Sequence, residues 1–123
     1  MNSRPVVGVV DDDESMRESL PDLLGELGFA ARPFASAEEF LAAEGIGDVS
    51  CLILDISLPG LSGPGLQREL HRLGHRIPTI FITGQSERSV PPGLLDHGAV
   101  DCLFKPFSEP DLRAALDAAL PGA

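Results

Sequence analysis

The sequence predicts an α/β protein, a three-layer αβα doubly wound sandwich around a five-stranded parallel sheet in the strand order 2-1-3-4-5. Short apolar runs alternate along the chain with segments whose apolar residues recur at spacings of three and four, as strands alternating with helices do. The first, third and fourth of these runs hold no charged residue before their ends, which is typical of parallel strands buried on both faces. Right-handed crossovers then favour the doubly wound order, with a switch point between the first and third strands.

Five apolar runs bounded by turn residues predict the strands. The second run is the weakest, and Pro33 within it places that strand at an edge of the sheet, because proline cannot donate a hydrogen bond to a neighbouring strand. The predicted strands are Val6–Val10, Ala30–Phe34, Cys51–Asp55, Thr79–Ile82 and Val100–Phe104.

The first two helices carry clear start and stop signals. Helix one can be capped by Asp13 or Ser15, and Gly28 is its predicted C-cap. Pro21 lies in its interior and is expected to kink it or loosen one turn. Ser36, followed three residues later by glutamate, is a capping box for helix two, which runs to about Ala43. The apolar face of helix one comprises Met16, Leu20, Leu23, Leu24 and Leu27.

The later helices differ in quality. Pro64 stands at the first position of helix three, where its missing N–H costs nothing, and Gly74 ends that helix. The fourth helix is expected near 87–97, but Pro91, Pro92 and Gly93 cannot form a sound helix interior, so we expect a loop followed by a short helix after Pro92. The last helix is capped at the serine of position 108, and its apolar face comprises Leu112, Leu116 and Leu120.

Composition bounds the class of protein. The 123 residues are expected to form one domain, 1–123, and the formal net charge of −10 argues against direct nucleic-acid binding. Cys51 and Cys102 lie in strand-like runs and are expected to be buried and reduced. The sequence contains no span-length apolar segment and no signal-peptide core, so we expect a cytoplasmic protein without a membrane partner.

Polar residues at the carboxyl ends of the predicted strands form the candidate site. Asp11 and Asp12 follow the first strand, Asp55 ends the third, Thr83 follows the fourth and Lys105 follows the fifth. Carboxylate oxygens suit a hard cation such as Mg²⁺, which commonly shares a phosphate with its protein ligands. Together with an ammonium and a hydroxyl, these groups indicate phosphoryl transfer, with an aspartate as possible nucleophile.

Each of these residues also has a simpler interpretation when taken alone. An acidic run after a strand can just stabilise a helix N-terminus. Thr83 can be an ordinary strand residue, and Lys105 an ordinary surface lysine. His71 and His75 are separated by the helix-ending Gly74 and are expected to face solvent rather than bind a metal. The joint placement of the acidic, hydroxyl and ammonium groups favours the site.

The motifs in combination resemble a two-component response-regulator receiver domain, a flavodoxin-like fold, over the whole chain. Segments 34–41 and 98–101 resemble the receivers of nitrogen-fixation-type regulators, which usually carry a helix-turn-helix output domain; within 1–123 we expect a stand-alone receiver. The motifs are Val10-Asp11-Asp12, Leu54-Asp55, Leu58-Pro59-Gly60-Leu61-Ser62-Gly63, Ile82-Thr83-Gly84 and Lys105-Pro106-Phe107.

The resemblance implies roles for the site residues. Asp55 would accept a phosphoryl group from a sensor histidine kinase or a phosphotransfer protein. Asp11, Asp12, Asp55 and the backbone carbonyl of Ser57 would hold Mg²⁺. The hydroxyl of the threonine at position 83 would turn onto the phosphoryl group, and the lysine at position 105 would pair with it. A downstream protein would bind the face formed by the fourth helix, the fifth strand and the fifth helix.

Three departures concern the output of such a domain. Cys102 stands where the family has an aromatic switch residue, prolines interrupt the fourth helix, and Leu58 replaces a methionine. We therefore expect phosphorylation to reshape 84–93 and to cover or uncover Phe104, which should be partly exposed on an edge strand. The alternative for Phe104 is that it packs under a helix. Pro106, after the lysine, allows a cis peptide bond.

Two other functions remain open at this stage. The interrupted fourth helix would also fit a degenerate receiver that acts as a constitutive protein-binding module. An aspartate-nucleophile phosphatase has a similar site but carries a second acid two residues after the nucleophile, and Ser57 occupies that position here. The sequence therefore favours a phosphoacceptor switch that is not an enzyme beyond catalysing its own phosphorylation and dephosphorylation.

Overall fold

A computed structural model describes residues 4–84 and 99–120 of the chain. Its sheet has five parallel strands in the order β2-β1-β3-β4-β5, which confirms the predicted fold class and strand order. The strands are β1 Val6–Val10, β2 Ala30–Phe34, β3 Val49–Asp55, β4 Thr79–Thr83 and β5 Ala99–Phe104.

The helices of the described residues lie between or after these strands. The expected helix near 87–97 falls outside the described residues, so the label α4 belongs here to the last helix. The helices are α1 Glu14–Glu26, α2 Ala37–Ala42, α3 Gly63–Arg72 and α4 Glu109–Ala119, with a 3₁₀ turn at Ile46–Asp48.

Three strands are longer than their apolar runs. β3 begins at Val49, which pairs with Val6 of β1, and β4 ends at Thr83, which pairs with Phe104 of β5. β5 begins one residue early, at Ala99, which pairs with Thr79. Pairing with a neighbouring strand extends each of these strands beyond the run that the sequence analysis assigned to it.

The sheet separates two apolar cores. One core contains Leu52, Leu54 and Phe81, and the other contains Ile53, Ile80 and Ile82, because successive side chains of a strand point to opposite faces. Burial on both faces explains the uninterrupted apolar sequence of β3 and β4. The carboxyl ends of these strands are thereby held at one edge of the sheet.

The prolines and cysteines test several of the predictions made from the sequence. α1 continues through Pro21, although proline cannot make the helical hydrogen bond, since Leu20 and Leu24 anchor that helix in the core. β2 lies at the edge of the sheet, as Pro33 predicted. Both cysteines are free, but only Cys51 is fully buried; the expectation for Cys102 was wrong, because β5 is at the other edge and leaves it half-buried.

Within the described residues, 4–84 and 99–120, no helix has the length and apolar character needed to cross a membrane.

Candidate functional site

The carboxyl ends of β1, β3, β4 and β5 meet at one edge of the sheet and carry the predicted site residues. Asp11 follows β1, Asp55 is the last residue of β3, and Thr83 is the last residue of β4. Lys105 follows β5, where its backbone N–H donates to the carbonyl oxygen of Thr83 at 2.8 Å. Asp11 and Thr83 are buried, being 0% and 1% exposed. The fold thus brings together side chains that are up to 94 positions apart in the numbering of the chain.

Asp11 is held on both of its carboxylate oxygens. Its Oδ1 accepts the N–H of Asp13 at 2.9 Å, and its Oδ2 lies 2.8 Å from Nζ of Lys105. The backbone is fixed as well: the N–H of Asp11 donates to Phe34 of β2 at 3.1 Å, and its carbonyl accepts from Nη1 of Arg17 at 3.0 Å. Asp11 is therefore a buried ion-pair partner that positions the lysine.

Only one carboxylate oxygen of Asp55 accepts a hydrogen bond from the backbone. Its Oδ1 accepts the N–H of Ser57 at 3.1 Å, whereas its Oδ2 lies 3.8 Å from Nζ of Lys105. Burial raises the pKa of Asp55 to about 6, and the negative charge of Asp11 adds to the rise, while the Ser57 N–H and Lys105 oppose it. Asp55 is thus a mostly buried carboxyl, 7% exposed, whose charge is less well compensated than that of Asp11.

Lys105 brings the positive charge of the site. Burial lowers its pKa, but the hydrogen bond and charge of Asp11, with the charges of Asp55 and Asp13, outweigh that effect, so the pKa is raised overall. The lysine is therefore protonated at neutral pH. Its peptide bond to Pro106 is cis, the geometry that the sequence allowed.

The carboxylates form a cluster that fits a hard cation. Asp12 is exposed beside the two buried acids, and one carboxylate oxygen from each of Asp11, Asp12 and Asp55 lies within 4.8 Å of the others. All three donors are oxygens, and among the described residues the three carboxylates outnumber the ammonium of Lys105 that pairs with two of them. The surplus negative charge and the oxygen donors are what Mg²⁺ prefers in proteins.

The loop after Asp55 passes close to the strand end. Ser57 is exposed, and its N–H reaches back to Asp55. The N–H of Gly63 donates to the carbonyl of Ile56 at 3.2 Å, and a Cβ at Gly63 would collide with the backbone carbonyl of Asp55. Only glycine allows this close approach, so the loop 56–62 closes tightly over the end of β3.

The predicted output residues lie on β5. Cys102 is half-buried beside one core, and its N–H is held by the side chain of Asp101 at 2.8 Å. Phe104 is 47% exposed, which confirms the expected partial exposure. The expected helix and loop of 84–93 lie, except for Gly84, outside the described residues, and the reshaping of that segment stays a prediction.

Sequence reasoning missed three contacts at this edge of the sheet. Arg17 was not singled out, although its guanidinium holds the carbonyl of Asp11. Glu38 was interpreted only as part of a helix start, but it binds the backbone of Leu61 in the loop after β3. Asp13 both caps α1 and donates its N–H to Asp11. These contacts join residues of different elements or turns, and no sequence pattern marks the two partners of such a hydrogen bond.

Comparisons with known proteins agree with this architecture. The family model for the response regulator receiver domain matches residues 7–117. Nodulation protein W of Bradyrhizobium diazoefficiens is 44% identical over 118 residues, which cover 96% of this chain and 52% of that protein. The structure of FixJ-N has a TM-score of 0.82 and 38% identity, covering 94% of this chain and 92% of that one. The response regulator StyR has a TM-score of 0.86 and 38% identity, covering 96% and 60%.

The fold and the cluster of Asp11, Asp12 and Asp55 are those of a receiver of the two-component class. The chain belongs to the response regulator receiver domain family, whose role in two-component signalling is to accept a phosphoryl group. It spans about half the length of the curated relatives it matches, 52%, 52% and 51% of the first three.

Proposed function

We propose that Asp55 is the phosphoacceptor of this receiver. The supporting observation is its position as the last residue of β3, mostly buried, with Oδ1 on the Ser57 N–H and Oδ2 facing Lys105 at 3.8 Å. An oxygen that is not already held by a backbone donor can attack phosphorus. Asp11 differs in its ion pair: its Oδ2 lies 2.8 Å from Nζ of Lys105, against 3.8 Å for Oδ2 of Asp55.

The transfer forms one bond and breaks one. An Asp55 carboxylate oxygen attacks the phosphorus of the donor, and the bond from phosphorus to the donor's leaving atom breaks, so that the leaving group keeps the electron pair. The product is an acyl phosphate on Asp55. Lys105, which is protonated and held by Asp11, stabilises the negative charge of the phosphoryl oxygens, and the Thr83 hydroxyl hydrogen-bonds to them.

Mg²⁺ is the proposed cofactor. Asp11, Asp12, Asp55 and the backbone carbonyl of Ser57 would hold it, and the oxygen-only cluster supports this set. When bound, the cation offsets the repulsion between the carboxylates and the incoming phosphoryl oxygens. The chain's own contribution is to orient Asp55 through the Ser57 N–H and to keep Lys105 beside it.

The partners follow from the family. A sensor histidine kinase or a phosphotransfer protein is the proposed phosphoryl donor, and a downstream protein is the proposed receiver of the signal. Its docking surface includes Phe104 of β5, which is 47% exposed, and the adjoining part of α4. Cys102 replaces the family's switch aromatic, so the signal is carried without an aromatic rotamer change. A cytoplasmic location accompanies this role.

Intact-mass analysis after incubation with acetyl phosphate tests the assignment. We expect one added phosphoryl group that requires Mg²⁺, and none in Asp55→Asn. Asp48→Asn is the matched control, because Asp48 is an exposed acid before the opposite end of β3 and should leave uptake unchanged. An undiminished adduct in Asp55→Asn, mapped to another residue, would overturn the assignment. No adduct on the wild type would favour a constitutive binding module, and turnover of many phosphate esters would favour a phosphatase.

A further inference from the structure

Glu38 links helix α2 to the loop that follows Asp55. Its Oε2 accepts the backbone N–H of Leu61 at 2.8 Å, across 23 positions of sequence. That hydrogen bond is the largest cause of the lowered pKa of Glu38, so the side chain is an ionised acceptor at neutral pH. The contact ties a helix on one side of the sheet edge to the loop 56–62.

The helix end that carries Glu38 is itself well fixed. Its neighbours Ala37 and Phe40 are both 0% exposed, and the ring of Phe40 packs edge-on against Phe34 with centroids 5.0 Å apart. The side chain of Ser36 caps the helix by accepting the N–H of Glu39 at 3.0 Å. Glu38 therefore extends from a well-packed base, and its carboxylate can hold the loop in place.

The loop passes close to the carboxylate of Glu38 at Gly60. Gly60 has a φ of +75°, a left-handed conformation that side chains disfavour, and a Cβ there would lie 2.7 Å from the same Oε2 of Glu38. The backbone thus passes directly beneath the carboxylate. The same oxygen accepts the Leu61 N–H, so the turn at Gly60 and the hydrogen bond belong to one contact between Glu38 and the loop.

The loop is held at both of its ends and, through Glu38, near its far turn. Ser57 N–H binds Asp55, and Gly63 N–H binds Ile56. Gly60 and Leu61 lie between these two ends, and the backbone N–H of Leu61 donates to Glu38 of α2. Without Glu38, the turn around Gly60 would keep fewer of the contacts that define its position relative to Ser57.

We propose that Glu38 is a positioning residue that orders the loop 56–62 and thereby presets the Ser57 carbonyl for Mg²⁺; this proposal rests on the function proposed above. Mg²⁺ demands near-ideal octahedral geometry, so a displaced carbonyl ligand lowers affinity. A loop already ordered by Glu38 loses less conformational freedom when the cation binds. Glu38 acts only through the loop and touches neither the cation nor the phosphoryl group.

Three variants test the proposal by Mg²⁺ titration and by amide hydrogen exchange of the loop. In Glu38→Ala we expect faster exchange at Leu61 and an Mg²⁺ dissociation constant raised about two- to tenfold, the factor that one ordinary hydrogen bond represents. Glu38→Gln keeps an acceptor oxygen and should restore most of the affinity. Glu39→Ala is the control, because it removes the same charge from the same helix but loses only its own 3.3 Å contact to Ala35.

Gly60→Ala provides an independent route to the same result. Its methyl group displaces the Glu38 carboxylate, so Mg²⁺ should bind as weakly as in Glu38→Ala, or more weakly because of the left-handed φ. Adding Gly60→Ala to Glu38→Ala should weaken binding by less than it does in the wild type, because the contact is already lost.

The outcomes separate this inference from the proposed function. If Glu38→Ala and Glu39→Ala bind Mg²⁺ equally well while Asp55→Asn still abolishes phosphorylation, the positioning role is wrong and the phosphoacceptor assignment stands. If Glu38→Gln binds as weakly as Glu38→Ala, charge rather than the hydrogen bond matters, which also overturns the proposal. If the wild type takes up no phosphoryl group, the proposed function fails, whatever loop exchange shows.

Discussion

The turns after β1 and β3 use the same local device. Asp11 follows β1 and Asp55 is the last residue of β3. Oδ1 of each aspartate accepts the N–H of the residue two positions later: Asp13 for Asp11, at 2.9 Å, and Ser57 for Asp55, at 3.1 Å. Each aspartate then turns its Oδ2 towards the same Lys105. This aspartate-based turn closes on itself within three residues and orients the carboxylate at the strand end.

The two turns differ in how the lysine is shared. Nζ of Lys105 is 2.8 Å from Asp11 but 3.8 Å from Asp55, and Asp11 is fully buried. The lysine is therefore committed to Asp11, and Asp55 retains a raised pKa of about 6 because burial and the charge of Asp11 are not fully offset. One local motif can thus produce two carboxylates whose charges are compensated to different degrees, depending on the position of Lys105.

Removing the lysine should have the largest effect on stability. Lys105→Met leaves Asp11 buried without its cation, and breaking a buried ion pair costs about 3–5 kcal/mol of unfolding free energy. We expect the lower end of that range, because the lysine side chain is 21% exposed. Urea unfolding in EDTA measures the change.

Two further variants check the cause of this loss. Asp11→Asn combined with Lys105→Met should be more stable than Lys105→Met alone, since no unpaired buried charge remains. Arg113→Met removes a cation from the exposed pair with Glu109 and should change stability by less than about 1 kcal/mol. Equal losses in Lys105→Met and Arg113→Met would contradict the commitment of Lys105 to Asp11.

Mg²⁺ should have the next largest effect on the free energy of unfolding. It should also reduce the difference in charge compensation between Asp11 and Asp55. A ligand that binds only the native state stabilises it by about 2.7 kcal/mol at one hundred times its dissociation constant. Asp12→Ala removes an exposed carboxylate of the cluster and should abolish most of the rise in melting temperature. Asp22→Ala, on α1, is the control and should leave the rise unchanged. The same upward shift in Asp12→Ala would mean that Asp12 is not a ligand.

The pH dependence of stability should reveal Asp55 directly. Its pKa is about 6 in the native state and 3.8 in the reference state, so between those values the folded protein holds a proton that the unfolded chain has lost. Stability should therefore fall as the pH rises from 3.8 to 6 and change little above that on account of this group.

Asp55→Asn isolates that contribution from other acids. In EDTA the variant should match the wild type near pH 4 and exceed it by about 2 kcal/mol at pH 8, since one pKa unit corresponds to about 1.4 kcal/mol and solvent contact reduces the full effect. A difference that is constant from pH 4 to pH 8 would show that Asp55 is not the group with the raised pKa.

The smallest expected change in stability distinguishes the two residues whose backbone N–H groups donate to the aspartates, Asp13 and Ser57. Asp13 also caps α1 by accepting the N–H of Ser15 at 3.0 Å, so Asp13→Ala should cost about 1 kcal/mol. Ser57→Ala keeps the donating backbone N–H and changes only an exposed side chain, so it should cost less than about 0.5 kcal/mol. A large loss of Mg²⁺ binding in Ser57→Ala would contradict a backbone ligand at this position.

Different parts of the fold and site were predictable to different degrees. The apolar runs of β1 and β4 located their strands almost to the residue, because burial on both faces leaves an uninterrupted hydrophobic sequence. Val49 was missed because it joins β3 through pairing with Val6. Cys102 was expected to be buried, but the edge position of β5 leaves it half-exposed. The predicted strand order already placed β5 at an edge, so the error was to infer burial of Cys102 from its strand-like run alone.

The sequence by itself determined that acids, a hydroxyl and an ammonium stand at strand ends, and parallel strands bring such ends to one edge of a sheet. Only the tertiary structure decided that Lys105 lies nearer to Asp11 than to Asp55, and that Glu38 holds Leu61. The physical reason is distance. The positions of the strands follow from patterns that repeat over a few residues, and their order from general rules for crossovers, whereas differences of 1 Å between polar atoms depend on how the helices and loops pack around them.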